Sequence, residues 1–399
     1  MSGTWIEIDL DAILNNYQEI VSQLQPQSRL MAVVKADAYG MGAVEVARVL
    51  QEAGCESFAV TTVAEGVILR EHGIKGQILV LGPVLKDEFT ESLQADLLLT
   101  LSSLGQIGDL EQSAQSLGKT ALVHIKLETG MGRTGFFYEN LEDLAQALGE
   151  CSWVKPVGIF THFARGAQRD RTYSQEQYTR FQRGVNRLEE MGISGLLKHV
   201  CNSAAFLDYP EWHHDFVRIG TLLIGHVPST GFAGKLNLKD PWLAKARIVH
   251  LRKVPKGTFV GYQSIYRTKK ETQLAVIPVG YADGFGLIPH MIPQGLMDFI
   301  KIVIKNFLAL FGVYLGGENA TLEGHTVPVA GKVGMQLTIL DVGDRPCQVG
   351  DEVIIPLRRT LANARIPRIY RKDKRIFTKR EIKEGFLPID PEYSNYDLE

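Results

Sequence analysis

Eight short apolar runs, alternating with longer segments of helical period, constrain this chain more than any other feature. They are LMAVVK (30–35), SFAVTT (57–62), QILVLG (77–82), DLLLTLSS (96–103), LVHIKLE (122–128), VKPVGIFTHF (154–163), LLKHVCNS (196–203) and VRIGTLLIG (217–225). Such runs, bounded by turn residues, read as buried strands. Amphipathic stretches such as GAVEVARVLQEAG and SQEQYTRFQRGVNRLEEMG lie between them, the second closing on a glycine suited to end a helix. Eight β-then-α units predict an α/β fold, a (β/α)8 TIM-like barrel over residues 8–235, in which working side chains project from the C-terminal strand ends. The polar residues fall accordingly: Lys35 follows the first run, Arg133 the fifth, His162 ends the sixth, and Asn202 and Ser203 close the seventh. Arg218, at the start of the eighth run, fits that rule less well.

After about Lys235 the texture changes to β-branched and polar alternation with glycine-rich turns, which predicts a mainly β C-terminal domain over 236–399, joined by residues 1–7. One helical stretch, PQGLMDFIKIVIKNFLALFG (293–312), interrupts it. Leu296, Ile300, Val303, Ile304, Phe307 and Phe311 follow helical spacing, and Asp298, Lys301 and Lys305 mark a narrow polar stripe. It is short and charged for a membrane span, so packing against its own domain or a second subunit is expected. A membrane-surface contact or a gate over the site is the alternative. The charged segment RKDKRIFTKREIKEG (371–385) reads as solvated surface.

With 399 residues, 45% of them hydrophobic, the chain can bury the core of two domains. Its 43 basic and 45 acidic residues form no long single-sign run, which argues against a nucleic-acid groove. The cysteines, Cys55, Cys151, Cys201 and Cys347, form no CxxC pair, which argues against structural zinc or a disulfide framework and suits a reducing compartment. The start, MSGTWIEIDLDAI, lacks the basic-then-apolar pattern of a signal peptide, so a cytoplasmic protein is expected.

Lys35 is the first residue that demands chemistry. Burying an unpaired ammonium costs several kcal/mol. Either Lys35 snorkels to water or it is put to chemical use.

The strings WIEIDLDAILNN, AVVKADAYGMG, KLETGMGRTGF, THFA, CNSAA, VRIG, VPKGTFVGY, VIPVGYADGF, VAGKVGM and RIPRIY occur in the order seen in the alanine racemases. The resemblance covers nearly the whole chain and is to enzymes that use pyridoxal 5'-phosphate (PLP), with a barrel followed by a β domain. It implies that Lys35 carries PLP covalently and serves as the base for one antipode. Tyr262, in FVGYQS, would serve the other from the partner subunit of a homodimer, completing a shared site. Arg218 resembles the arginine facing the pyridine nitrogen. Tyr39, Ser203 and the backbone at Gly220 and Thr221 match phosphate-holding positions, and His162 and Asn202 look like neighbours of the ring. Arg133 resembles the arginine that touches the PLP phenolic oxygen and helps position the substrate carboxylate. Tyr281 and Met335 would line the substrate entrance from the partner. Lys126 is either carbamylated, as in some family members, or ion-paired with Glu128. No metal site is expected.

Departures from the pattern make this a divergent member. Gln336 stands where aspartate is usual, Ile224 replaces a tyrosine, and THFARGAQ lacks an acidic residue. The stretch before RIPRIY is short and lacks the tyrosine that usually gates the site. These changes surround access and substrate space, so a racemase for alanine and one for another amino acid both stand at this point. A non-catalytic PLP-binding protein is the alternative of another class, which Tyr262 and the second domain argue against.

Overall fold

The apolar runs become strands only over their dry central portions. In this computed structural model, which describes residues 3–166, 171–228, 234, 236–287, 295–310 and 318–380, the eight barrel strands are Arg29–Val33, Ser57–Val60, Gln77–Val80, Leu98–Leu101, Ala121–Glu128, Val154–Phe160, Leu197–His199 and Phe216–Ile219. The first seven pair in parallel in chain order, and the eighth pairs with the first. The ring closes between the seventh and eighth, where Asp215 N donates to Lys198 O at 3.1 Å and Arg218 N to Cys201 O at 2.9 Å.

The polar ends of the predicted runs lie beyond the strands, where the backbone turns outward. The eighth run needs a correction. Its strand is Phe216–Ile219 and the following Thr221–Gly225 is a turn, so Arg218 stands at the C-terminal end of its strand and obeys the rule it was expected to strain.

Helices pack their apolar stripes on the barrel. Thr172–Glu190 buries Tyr178, Phe181, Val185 and Leu188. The helix Val63–Glu71 starts at a reciprocal cap, with Thr62 accepting from Glu65 N and the Glu65 carboxylate accepting from Thr62 N. Inside the barrel, Met31, Val33, Ala59, Leu79, Leu98 and Phe216 form an apolar cluster. Higher up, the His124 ring lies against Gly158, where an added Cβ would come within 2.5 Å of it.

The chain divides into two compact units, Asp9–Pro241 and Met1–Ile8 with Trp242–Glu399. In the second, Thr4–Asp9 pairs antiparallel with Trp242–Arg247, which in turn pairs with Glu352–Ile354. The segment read as solvated charge is partly ordered. Arg368–Lys372 and Arg375–Arg380 form a hairpin in the same sheet, and Arg371 pairs with Glu7 at 2.8 Å. Residues 381–385 lie outside the described part.

The inserted segment is helical over Leu296–Leu310, and most of its described apolar side chains are exposed rather than buried against the domain. Leu296 is 74% exposed and Phe307 57%, with Val303 and Ile304 also exposed. A helix apolar around most of its circumference presents more apolar surface than one contact face can cover. Phe311, Pro293 and Gly312 lie outside the described residues. Among those described, no helix is long and apolar enough to cross a membrane.

Candidate active site

The C-terminal strand ends surround a cavity of about 730 Å³, within the size range of small-molecule sites. Lys35, Tyr39, Lys126, Arg133, His162, Asn202, Ser203, Arg218, Gly220 and Thr221, drawn from six separate stretches of the chain, all line it. The lining holds four cationic side chains, Lys35, Lys126, Arg133 and Arg218, and, among the described residues, no carboxylate.

Lys35 leaves the first strand into a left-handed turn. Ala36, Asp37, Ala38 and Tyr39 have φ of 50°, 55°, 51° and 58°, a conformation that costs L-residues roughly 1–2 kcal/mol each. Four residues apart on this turn, Lys35 and Tyr39 share a face, and both meet the cavity. Burial and the nearby Arg133 lower the Lys35 pKa, Glu65 opposes them, and Arg218 adds to the lowering.

Arg218 is fully buried and donates to the carbonyls of His199 at 2.6 Å, Thr161 at 2.7 Å and Val200 at 3.3 Å. Its Nη1 also lies 2.9 Å from His199 Nδ1. Burial lowers its pKa to about 10, which leaves it cationic at neutral pH. His199 Nε2 lies 2.7 Å from His124 Nδ1. A guanidinium can only donate, so His199 accepts at Nδ1 and carries its proton at Nε2, directed at His124. Burial and Arg218 lower His124 to about 4, while burial and the cavity's four cations lower His162 to about 3.

Lys126 donates to the Thr134 hydroxyl and forms no ion pair with Glu128. The Glu128 carboxylate instead accepts from Gly130 N at 2.5 Å, Met131 N at 2.6 Å and Arg133 N at 3.2 Å, pinning the loop that carries Arg133. Burial, then Arg133, lowers Lys126 to about 8. Asn202 does more than neighbour the cavity, since its carbonyl caps the helix Ser203–Asp208 by accepting from Ala204 N and Ala205 N.

Tyr262, Tyr281 and Met335 lie in the other compact unit, 71%, 45% and 57% exposed. Gly280 allows two loops to meet there: an added Cβ would stand 2.2 Å from Gly334 O. Tyr281 N donates to Gly334 O at 2.9 Å and Ala282 N to Met335 O at 3.0 Å, so Tyr281 and Met335 are brought together. The short segment before RIPRIY packs on the same turn, with Asn363 N donating to Asp283 O at 3.1 Å.

Sequence reasoning passed over His199 and Glu65, and met Glu128 only as an ion-pair partner for Lys126. His199 ends the seventh strand, so the strand-end rule could have found it. Thr62 and Glu65 stand at the T-x-x-E spacing of a reciprocal cap, which announces the bond to Thr62 N, while no residue pattern announces the bond to Ala36 N or those of the Glu128 loop.

The fold and the cavity define a β/α-barrel protein whose strand ends gather two lysines and two arginines around one cavity. Residues 8–228 match the family described as alanine racemase, N-terminal domain, and residues 243–367 the alanine racemase, C-terminal domain. An alanine racemase of Methanococcus maripaludis is 36% identical over 92% of this chain and 98% of its own length, and one of Desulforamulus reducens 38% identical over 88% and 89%. Among solved structures, the Clostridium difficile 630 alanine racemase superposes with a TM-score of 0.85 at 30% identity, over 96% of this chain and 99% of that one. The Bacillus anthracis enzyme with bound L-Ala-P gives 0.83 at 27%, over 96% and 98%. The chain belongs to the alanine racemase family, whose members are isomerases.

Buried neutral histidines make stability depend on pH. The folded pKa of His124, about 4, lies below its ordinary 6.5, so the unfolded chain binds the proton more tightly. The contribution is complete above about 6.5 and is lost as pH falls towards about 4. The urea midpoint should therefore fall between pH 7 and pH 4, and a midpoint flat across that range would contradict the buried neutral pair.

Proposed function

We propose that the protein interconverts L- and D-alanine with pyridoxal phosphate, from active sites shared by two subunits. The observation that carries this reading is a cavity with four cations, no carboxylate among its described lining residues and a lysine of lowered pKa, in a chain of this family. A phosphate dianion, a phenolate oxygen and a substrate carboxylate supply the negative charge such a cavity demands. The fit extends to shape. An added Cβ at Gly220 would stand 2.2 Å from the Tyr39 hydroxyl, so glycine leaves its N–H, the Tyr39 hydroxyl and Ser203 Oγ, 3.3 Å from that N–H, around one end of the cavity. Those groups, with Thr221, would hold the phosphate, and Lys35 would take the aldehyde carbon. His162 and Asn202 would flank the ring.

When bound, the cofactor would supply the electron sink that makes a Cα proton removable. The protein's own part is to move that proton. Lys35, its pKa already lowered, serves one face; Tyr262 of the second subunit serves the other, with Tyr281 and Met335 beside the entrance. Arg218 would meet the ring nitrogen and, because a guanidinium keeps its protons, would leave it unprotonated and restrain side reactions. Arg133, held by the Glu128-pinned loop, orients the substrate carboxylate.

Lys126, at about 8, has a neutral fraction near pH 7 and no ion pair to Glu128. Its neutral amine can add CO2, forming a carbamate and releasing one proton. That change would place an anion beside Arg133, which acts on Lys126 electrostatically. The four cysteines are free, which suits a reducing compartment, and the cytoplasm is the one we assign.

Borohydride treatment of the holoenzyme should fix the cofactor on Lys35, and its recovery on another lysine would move the assignment. Native mass spectra in bicarbonate should show one CO2 per chain that disappears in Lys126→Ala; identical spectra for the two proteins would remove carbamylation. Chiral analysis of alanine should find Lys35→Ala and Tyr262→Ala chains nearly inactive alone. After subunit exchange, about a quarter of wild-type activity should return, because half the dimers are mixed and each has one intact site of two. Heterodimers that restore nothing would end the shared-site reading.

A further inference from the structure

The left-handed turn that presents Lys35 needs a restraint, and one carboxylate supplies it. The first N–H groups of any helical turn have no partner within it. Here the Ala36 N–H donates to Glu65 Oε1 at 2.6 Å, while Glu65 Oε2 accepts from Thr61 N at 2.8 Å and Thr62 N at 3.2 Å. Glu65 thus caps two helical elements of opposite hand, its own helix and the turn after Lys35. The rest of that turn is held from within, by Ala38 N to Val34 O at 2.8 Å, Gly40 N to Ala36 O at 3.0 Å and Ala43 N to the Asp37 carboxylate at 2.9 Å. Among the hydrogen bonds described, the one from Glu65 joins the first residue of the turn to the second strand-end loop.

We infer that Glu65 is a positioning residue for the racemisation proposed above: it holds the strained turn that aims Lys35. Two features make the carboxylate irreplaceable by an isostere. It faces backbone donors with both oxygens, and an amide in its place would turn an N–H against one of them. It also acts electrostatically on Lys35, against Arg133 and Arg218. Unheld, four residues of unfavourable φ would relax and swing Lys35 from its line of attack, and misplacement by about 1 Å can cost a reaction about 100-fold.

The test reads the turn directly and then the chemistry. In Glu65→Gln, hydrogen exchange at the Ala36 amide should accelerate while the rest of the barrel keeps its protection. The pH midpoint of the bound cofactor's absorption should move down, because a cation at Lys35 has lost its counter-charge. kcat for alanine should fall about 10–100-fold with KM within about threefold. Ala36→Gly, which relieves the left-handed penalty at that residue, should shrink the kcat loss when combined with Glu65→Gln. Unchanged exchange at Ala36 with an unchanged absorption midpoint, or additive effects in the double variant, would overturn the role. If Glu65→Gln does not fold, Glu65→Asp keeps the charge and withdraws it by one methylene, and the same exchange measurement decides. The exchange and absorption readings do not depend on the substrate. Failure of wild-type protein to racemise alanine would therefore sink the functional proposal alone, and a fully active Glu65→Gln would sink the positioning role alone.

Discussion

A guanidinium enclosed at the end of the last barrel strand organises this molecule. A buried charge must be hydrogen-bonded or it destabilises the fold that encloses it. Arg218 meets that demand with carbonyls at the ends of the sixth and seventh strands and with a histidine on the seventh. The ends of these strands converge on it, and its positive field reaches several titrating groups in and beside the cavity. It contributes to the lowered pKa of Lys35, Lys126, His124, His162 and His199. In each of them burial is the larger cause, and Arg218 adds to it.

The acids near the cavity are placed to leave that field intact. Glu65 and Glu128 turn their carboxylates to the backbone amides of the loops behind it, and neither lines it. Amide hydrogen bonds from Gly132, Gly130, Arg133 and Met131 outweigh burial and hold the Glu128 carboxyl below its usual range. The loops gain rigidity from charge-assisted hydrogen bonds, while the cavity keeps a positive surplus for an anionic ligand. Loop strain and cavity charge are thus managed by the same residue type in two places.

Much of the fold was legible because barrel strands, buried on both faces, leave continuous apolar runs. All eight strands fall within or beside the predicted segments, and the cavity gathers the expected strand-end residues. The eighth run misled because Leu222, Leu223 and Ile224, which continue its apolar character, are buried in a turn rather than a strand. The inserted helix was legible as a helix, since periodicity reports local geometry, but its exposure was not, since periodicity does not report what covers a face.

The sequence by itself determined the class of the fold, the family, the lysine at the first strand end and the identity of the cavity cations, because apolar period and residue type are written locally. Only the tertiary structure decided the partners. It turned Glu128 away from Lys126 to the loop amides, seated Arg218 against His199, and set Glu65 across from Ala36. Those choices depend on which backbone donors and acceptors are left unpaired once strands and helices have formed, and such groups belong to the folded geometry of distant segments.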